Sequence, residues 1–86
     1  MKLKDGLFLK EMGDEFVVTA KSPDVFRGII KLNKSGAFVF GLMNEGLSDD
    51  EIIAGMCEKY DVDSDTAKAD YERFAEVFKK ADLFED

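Results

Sequence analysis

The stretch "FRGIIKLNKSGAFVF", residues 26–40, decides the fold because it changes character at Asn33. The part before Asn33 is rich in β-branched and apolar residues and predicts a strand. The part after it is apolar almost all round and predicts a buried helix. Asn33 can cap that helix by accepting a backbone N–H, and Ser35 is the competing cap. The position of the strand matters for function, because a strand at the edge of a sheet offers unpaired backbone groups to another chain.

Two more strands are predicted before this one. "LFLKEM", residues 7–12, and "FVVTA", residues 16–20, are β-rich runs separated by the three-residue connection "GDE", which contains Gly13 and is a hairpin signal. Pro23 breaks the chain before the third predicted strand, residues 25–32. Three strands in succession predict an antiparallel meander.

Three helices are predicted after the strands, over residues 34–44, 49–60 and 64–80. The second begins with a capping box between Ser48 and Glu51. The third is capped by Asp63 or Ser64. Both starts therefore carry a side chain that can satisfy free backbone N–H groups.

Strands followed by helices predict an α+β fold, a three-stranded antiparallel sheet followed by three helices laid against it. We expect one domain over residues 1–86, which ends in "LFED" as a frayed or loosely docked tail.

The amino-acid composition disfavours several classes of function. The formal charge of −7 disfavours nucleic acid as a partner, because a phosphate backbone would be repelled. No apolar run approaches the roughly 18–20 residues that span a bilayer, and charges interrupt the first residues too early for a signal peptide, so we expect a cytoplasmic protein without a membrane partner. Cys57 is the single cysteine and fits a small buried hydrophobe. The chain has no histidine, and with it no Ser-His, Cys-His or His-metal site, so we expect neither an enzyme nor a metal or other cofactor.

Four short motifs occur in a fixed order along residues 32–84. They are "LN..GAF" from Leu32 to Phe38, "EII" from Glu51 to Ile53, "YDVD" from Tyr60 to Asp63, and "A..D...F...F" from Ala67 to Phe78. In this order and spacing they resemble the PqqD-like family, named for pyrroloquinoline quinone biosynthesis protein D and also called the RiPP recognition element. The chain differs from the common family pattern at Phe40, where many members carry Trp.

The resemblance implies a winged-helix-like arrangement and a peptide chaperone in the bacterial biosynthesis of ribosomally made, modified peptides. Members of the family bind the leader of a precursor peptide as a strand added to the third strand, and side chains of the leader lodge against the third helix. The modifying enzyme is often a radical SAM protein, which we expect here as a separate chain.

The peptide-binding residues that this implies are Arg27, Gly28, Ile29, Ile30, Lys31 and Leu32 on the third strand, and Ala67, Asp70, Tyr71, Phe74 and Phe78 on the third helix. Each group has a structural alternative. The apolar residues of the strand and the aromatic stripe of the helix are also what a core would use. The two basic residues of the strand are suited to an acidic leader but can equally protect an edge from aggregation. Asp70 can be a solvated residue or a hydrogen-bond partner of a loop.

Two other functions remain open, a winged-helix DNA-binding regulator and a protein–protein scaffold. The third helix mixes basic and acidic residues evenly, which disfavours the regulator. The same open strand could also accept a second copy of the chain, giving an edge-strand homodimer.

Overall fold

Strands flank three helices in the observed order of elements. The computed structural model describes residues 2–22, 24 and 28–85. The strands are β1 (Lys2–Leu3), β2 (Leu7–Met12), β3 (Glu15–Ala20), β4 (Ile30–Leu32) and β5 (Phe84–Glu85). The helices are α1 (Lys34–Asn44), α2 (Asp49–Tyr60) and α3 (Ser64–Lys80). The predicted α+β fold, with a three-stranded antiparallel sheet followed by three helices, is confirmed.

The sheet has the order β2-β3-β4 and is antiparallel throughout. Met12 lies opposite Glu15, so the hairpin turn contains two residues, Gly13 and Asp14, and the predicted three-residue connection was one residue too long. Gly13 has φ 67° at the first central position, where a type II′ turn requires glycine. The predicted meander is confirmed.

β4 is shorter than the predicted third strand. It covers residues 30–32, and Gly28, with φ 101°, lies before it in a bend. Residues 25–27 of the prediction lie outside the described residues, as does Pro23. Leu32 is buried and Asn33 follows it directly, so the strand passes into α1 without a loop.

Asn33, rather than Ser35, caps α1. Its side-chain oxygen accepts the N–H of Gly36 at 2.8 Å. The helix then buries residues on more than one side, as its apolar sequence predicts.

The caps of α2 and α3 also follow their sequence signals. Ser48 accepts the N–H of Glu51 at 3.2 Å, and the Glu51 carboxylate accepts the N–H of Ser48 at 2.9 Å, which completes the predicted capping box. Asp63, rather than Ser64, caps α3 by accepting the N–H of Thr66 at 2.7 Å.

The core lies between the helices and one face of the sheet. Val18 of the central strand is 0% exposed, and Ile52 of α2 is 1% exposed. Phe40 of α1 meets Phe78 of α3 edge to face, with the ring centroids 5.8 Å apart. In the described part of the chain, none of the helices combines the length and the apolar character needed to cross a membrane.

The prediction of a frayed tail was wrong. Leu83 is 0% exposed, and Phe84 on β5 pairs with Leu3 on β1. The N–H of Lys4 donates to the carbonyl of Leu83 at 2.8 Å. Leu83 and Phe84 are held in place because their side chains join the core. The sequence did not predict this pairing, because two-residue strands are too short to show an alternating pattern.

Candidate functional site

β4 forms one open edge of the sheet, since in the described residues it pairs with β3 alone. The hairpin register determines which backbone groups are free. Lys21 donates its N–H to the carbonyl of Gly6 at 3.0 Å, which marks a hydrogen-bonded pair between the segments that form β2 and β3. Along antiparallel strands, hydrogen-bonded pairs alternate with non-hydrogen-bonded pairs, whose backbone groups point away from the partner strand. Phe16 and Val18 of β3 therefore direct their backbone groups toward β4.

The two residues of β4 opposite them, Leu32 and Ile30, are consequently bonded to β3. Ile29, just before the strand, and Lys31 turn their N–H and C=O groups to the open edge. Because each residue carries one donor and one acceptor, this edge offers two donors and two acceptors to an added strand.

The side chains of this edge alternate between the two faces of the sheet. Ile29 is 60% exposed and Lys31 is exposed, whereas Ile30 is half-buried and Leu32 is buried. Gly28 is exposed, and Arg27 lies outside the described residues. On the helix-facing side, the side chains of this edge are therefore packed into the protein, and on the opposite side they are exposed to solvent.

A groove of about 250 Å³ lies between the start of α1 and one face of α3, lined by Asn33, Ser35, Asp70, Arg73, Phe74 and Val77. The four residues from α3 have the spacing i, i+3, i+4 and i+7, which places them on one helix face. Phe74 is half-buried and Val77 is 45% exposed, so the groove has an apolar surface. Its volume is below the roughly 300–1,000 Å³ of small-molecule pockets and suits a side chain of a peptide.

Gly36 explains why the groove lies beside β4. A Cβ atom at this position would lie 3.0 Å from Cε1 of Phe74 and 3.1 Å from Cδ2 of Leu32. Glycine therefore fits this close approach of α1 to α3 and to the end of β4, and a larger residue would require Phe74 or Leu32 to shift by a few tenths of an ångström. Gly36 was not among the predicted site residues, although it is the glycine of the motif "LN..GAF" and lies inside a predicted helix.

One ion pair borders the groove. Asp70 forms a salt bridge with Arg73 one turn along α3, and the Arg73 side chain is 76% exposed. The Asp70 side chain is 40% exposed, which agrees with the predicted solvated helix residue, and its hydrogen bond lies within α3 rather than with a loop. Arg73 was not among the predicted site residues, although the i, i+3 spacing of opposite charges could have indicated it.

Three of the predicted site residues on α3 are buried in the core, namely Ala67 at 0%, Tyr71 at 5% and Phe78 at 0% exposure. The Tyr71 hydroxyl donates to the carboxylate of Asp49 on α2, on the side of α3 away from the groove. Burial, followed by the hydrogen bond to Asp49, raises the pKa of Tyr71. The core interpretation of the aromatic stripe is therefore confirmed for Tyr71 and Phe78, while Phe74 alone of the three reaches the groove.

A second recess, of about 480 Å³, lies between α2 and the opposite side of α3. It contains four acidic residues, Asp49, Asp50, Glu72 and Glu76, and two basic ones, Lys68 and Lys79. This lining disfavours anionic ligands. Within the described ranges, no three His, Cys, Asp or Glu side chains are grouped so that they could hold a metal ion.

Two comparisons with known proteins give matches. The profile of the family described as coenzyme PQQ synthesis protein D (PqqD) matches residues 22–83. The structure is similar to that of TbiB1 in complex with the TbiA(beta) leader peptide, with a TM-score of 0.80 and 26% sequence identity, covering 99% of this chain and 95% of that chain. Among curated proteins, no significant match is found.

Proposed function

This chain belongs to the PqqD family, and we propose that it binds the leader region of a ribosomally made precursor peptide and presents that peptide to a separate modifying enzyme. The similar TbiB1 structure is itself a complex with a leader peptide, which supports a leader as the ligand class here.

The observation that carries this proposal is an open strand edge directly beside an apolar groove. An extended peptide aligned with β4 can exchange hydrogen bonds with the backbone of Ile29 and Lys31. Every second side chain of such a strand faces the helices, where Phe74 and Val77 offer apolar contact. The backbone supplies affinity, and the groove supplies selectivity.

The predicted site residues then have two kinds of role in the proposal. Residues 28–32 form the edge, Arg27 stays a predicted contact outside the described residues, and Asp70 and Phe74 contact side chains of the leader. Ala67, Tyr71 and Phe78 lie behind this surface and fix the position of α3.

The proposed leader has an acidic residue near its apolar anchor. Lys31 is exposed on the edge, and Arg73 can leave its exposed salt bridge with Asp70 at little cost. Because the chain as a whole is acidic, these cations would act at short range on a leader already in register.

The chain would promote the modification by raising the effective concentration of the precursor near the enzyme, and not by a chemical step of its own. A leader held at β4 keeps the rest of the precursor near any enzyme that binds the same module. The family resemblance makes a radical SAM protein the proposed enzyme.

The DNA-binding alternative gains no support from α3. Arg73 is paired with Asp70, and Lys80 lies 3.9 Å from Glu76, so two of the basic residues of the helix already face carboxylates. A recognition helix needs free basic side chains on one face.

The proposal is tested by amide chemical-shift mapping of the labelled protein with the leader half of a precursor peptide encoded beside it. We expect the largest shifts at Ile29 and Lys31 and along α3 around Phe74. Binding that leaves both regions unchanged would show that the site is wrong. No binding by the adjacent leader would favour the scaffold function.

Two variants sharpen the test. Lys31→Pro removes an N–H that faces the open edge and not β3, and should weaken leader binding about tenfold. Val77→Ser removes apolar contact in the groove and should weaken it about fivefold. Met12→Ser is the matched control, because Met12 is 62% exposed on β2, the far edge of the sheet, and should leave leader binding unchanged.

A further inference from the structure

β2 carries an unusual share of the exposed apolar surface. Of five large apolar side chains exposed in the described part of the chain, three lie on this six-residue strand, Phe8 at 41%, Leu9 at 37% and Met12 at 62%. Phe8 and Met12 lie on the outer face of the sheet and Leu9 on the helix-facing side, since side chains alternate. A partner docked flat on one face would leave the other set exposed, whereas a strand added to the edge covers both.

The backbone of β2 is available for such pairing. In the hairpin register, Phe8, Lys10 and Met12 bond to β3, so the N–H and C=O groups of Leu7, Leu9 and Glu11 face outward. Among the described residues, β2 has no strand partner besides β3.

We propose that β2 pairs with β2 of a second copy of this chain, antiparallel and around a two-fold axis. The two sheets then form one six-stranded sheet with both β2 strands at its centre. The interaction is isologous, since each copy supplies the same strand. Two short strands bury a small area, so the dimer is weak and depends on concentration.

The side chains of β2 select one register. Outward-facing residues must oppose each other, and a two-fold axis at Leu9 sets Leu9 against Leu9, Leu7 against Glu11 and Phe8 against Lys10 of the second copy. Lys10 can then lie over that copy's Phe8, as Lys21 does within one chain at 5.3 Å from the ring centroid.

The neighbouring registers are less favourable. A shift that moves the axis to Lys10 places two Lys10 side chains directly opposite each other, and like charges at that position are destabilising. A shift that moves the axis to Phe8 pairs fewer residues of the two strands.

This dimer leaves β4 free at both ends of the extended sheet. A second copy that paired through β4 would instead occupy the proposed leader edge. Self-association through β2 is thus compatible with two bound leaders, and leader binding should not change the dimer dissociation constant.

Sedimentation velocity of the protein alone over a wide range of concentrations tests the proposal. Leu9→Lys places like charges opposite each other at the axis and should weaken the dimer about tenfold or more. Ile29→Lys makes the same change of charge at an exposed apolar residue beside the other edge, and should leave it unchanged. A monomer at every concentration, equal effects of the two variants, or a loss of dimer only in Ile29→Lys would overturn the proposal.

Disulfide formation tests the register. In a Cys57→Ser background, Leu9→Cys should form a disulfide between copies, because the Cα atoms of a hydrogen-bonded pair lie about 5.5 Å apart, within disulfide range. Glu11→Cys should not, because Glu11 lies opposite Leu7 and far from its own equivalent. Failure of Leu9→Cys, or equal cross-linking of both variants, would contradict the register. Neither experiment involves a leader, so its outcome is separate from that of the leader titration.

Discussion

The two edges of the sheet are both open but have different surroundings. Behind β4 lie α1 and α3, and Leu32 at its end is buried against Gly36 and Phe74. β2 has almost no such backing, and every residue after Leu7 is exposed, including Leu9 on the side that faces the helices. β2 thus lies at the margin of the core, beside the buried Val18 of β3.

Because of this difference, we expect the two edges to accept different kinds of partner strand. Backbone hydrogen bonds are the same for every sequence, so an edge becomes selective only where side chains of the guest meet shaped surface. β4 has such a surface in the groove beside Phe74, whereas β2 offers exposed side chains away from that groove. We infer that the edge formed by β4, which has helices behind it and is called the backed edge below, can discriminate among peptides. The edge formed by β2, called the bare edge, is suited to a strand of matching sequence, which a second copy supplies.

The largest expected effect comes from removing the support of β4. Phe78 is 0% exposed and packs edge to face on Phe40, so Phe78→Ala should lower the free energy of unfolding by about 3–5 kcal/mol. Leader affinity should fall with it, because α3 loses its anchor. Urea denaturation followed by circular dichroism gives the change.

Phe8→Ala is the control for this substitution, since Phe8 is 41% exposed on the bare edge. It should cost less than about 1 kcal/mol. A loss comparable to that of Phe78→Ala would mean that β2 is supported by the core, and the contrast between the edges would not hold.

The features that could be predicted from the sequence are those set by residues close together in the chain. Helix bounds and caps followed from residues within one turn of each other, such as Ser48 with Glu51. The open third strand followed from the order of strands in a meander. The outward-facing backbone groups did not follow, because they depend on the register, and the two-residue turn at Gly13 shifts the register by one residue from that of the predicted three-residue connection.

The missed features are contacts between distant segments. The pairing of β1 with β5 joins two-residue strands from opposite ends of the described chain, too short to show alternation. The contact of Gly36 with Phe74 depends on how α1 crosses α3, which apolar patterning leaves undetermined. The position of the groove beside β4 depends on this contact, and its lining residues Asn33, Ser35, Arg73 and Val77 were not among the predicted site residues.

An intermediate effect is expected where the backed edge is packed most tightly. Gly36→Ala brings a methyl group to within 3.0 Å of Phe74 and should destabilise the protein by about 1–3 kcal/mol, since Leu32 on the other side limits the movement of its neighbours. If Phe74 moves instead, the groove changes shape and leader affinity falls more than stability. Thermal unfolding and leader titration distinguish the two responses.

Gly41→Ala provides the comparison within the same helix. An added Cβ at Gly41 has no atom within 4 Å, and alanine favours the helix, so this variant should be neutral or more stable by up to about 1 kcal/mol. If Gly36→Ala were stabilising as well, the close approach of α1 to β4 would not be under steric constraint.

The smallest expected effect is the acid sensitivity of α2 and α3 at their capped N-termini. The N–H of Ser48 lowers the pKa of Glu51 below its ordinary 4.5, and the N–H of Thr66 lowers the pKa of Asp63 below 3.8. Because both folded pKa values are lowered, the stabilisation is present above the ordinary values and is lost as the pH falls through the folded ones.

Asp63→Asn keeps a capping side chain but removes the titrating group, so it should flatten the fall of unfolding free energy on the acid side. Asp65→Asn removes the same charge from the first turn of α3, two residues after Asp63, but leaves the cap bond in place and should leave most of that slope. Equal flattening by both variants, measured by urea denaturation at a series of acid pH values, would assign the dependence to the charge of the first turn and not to the cap.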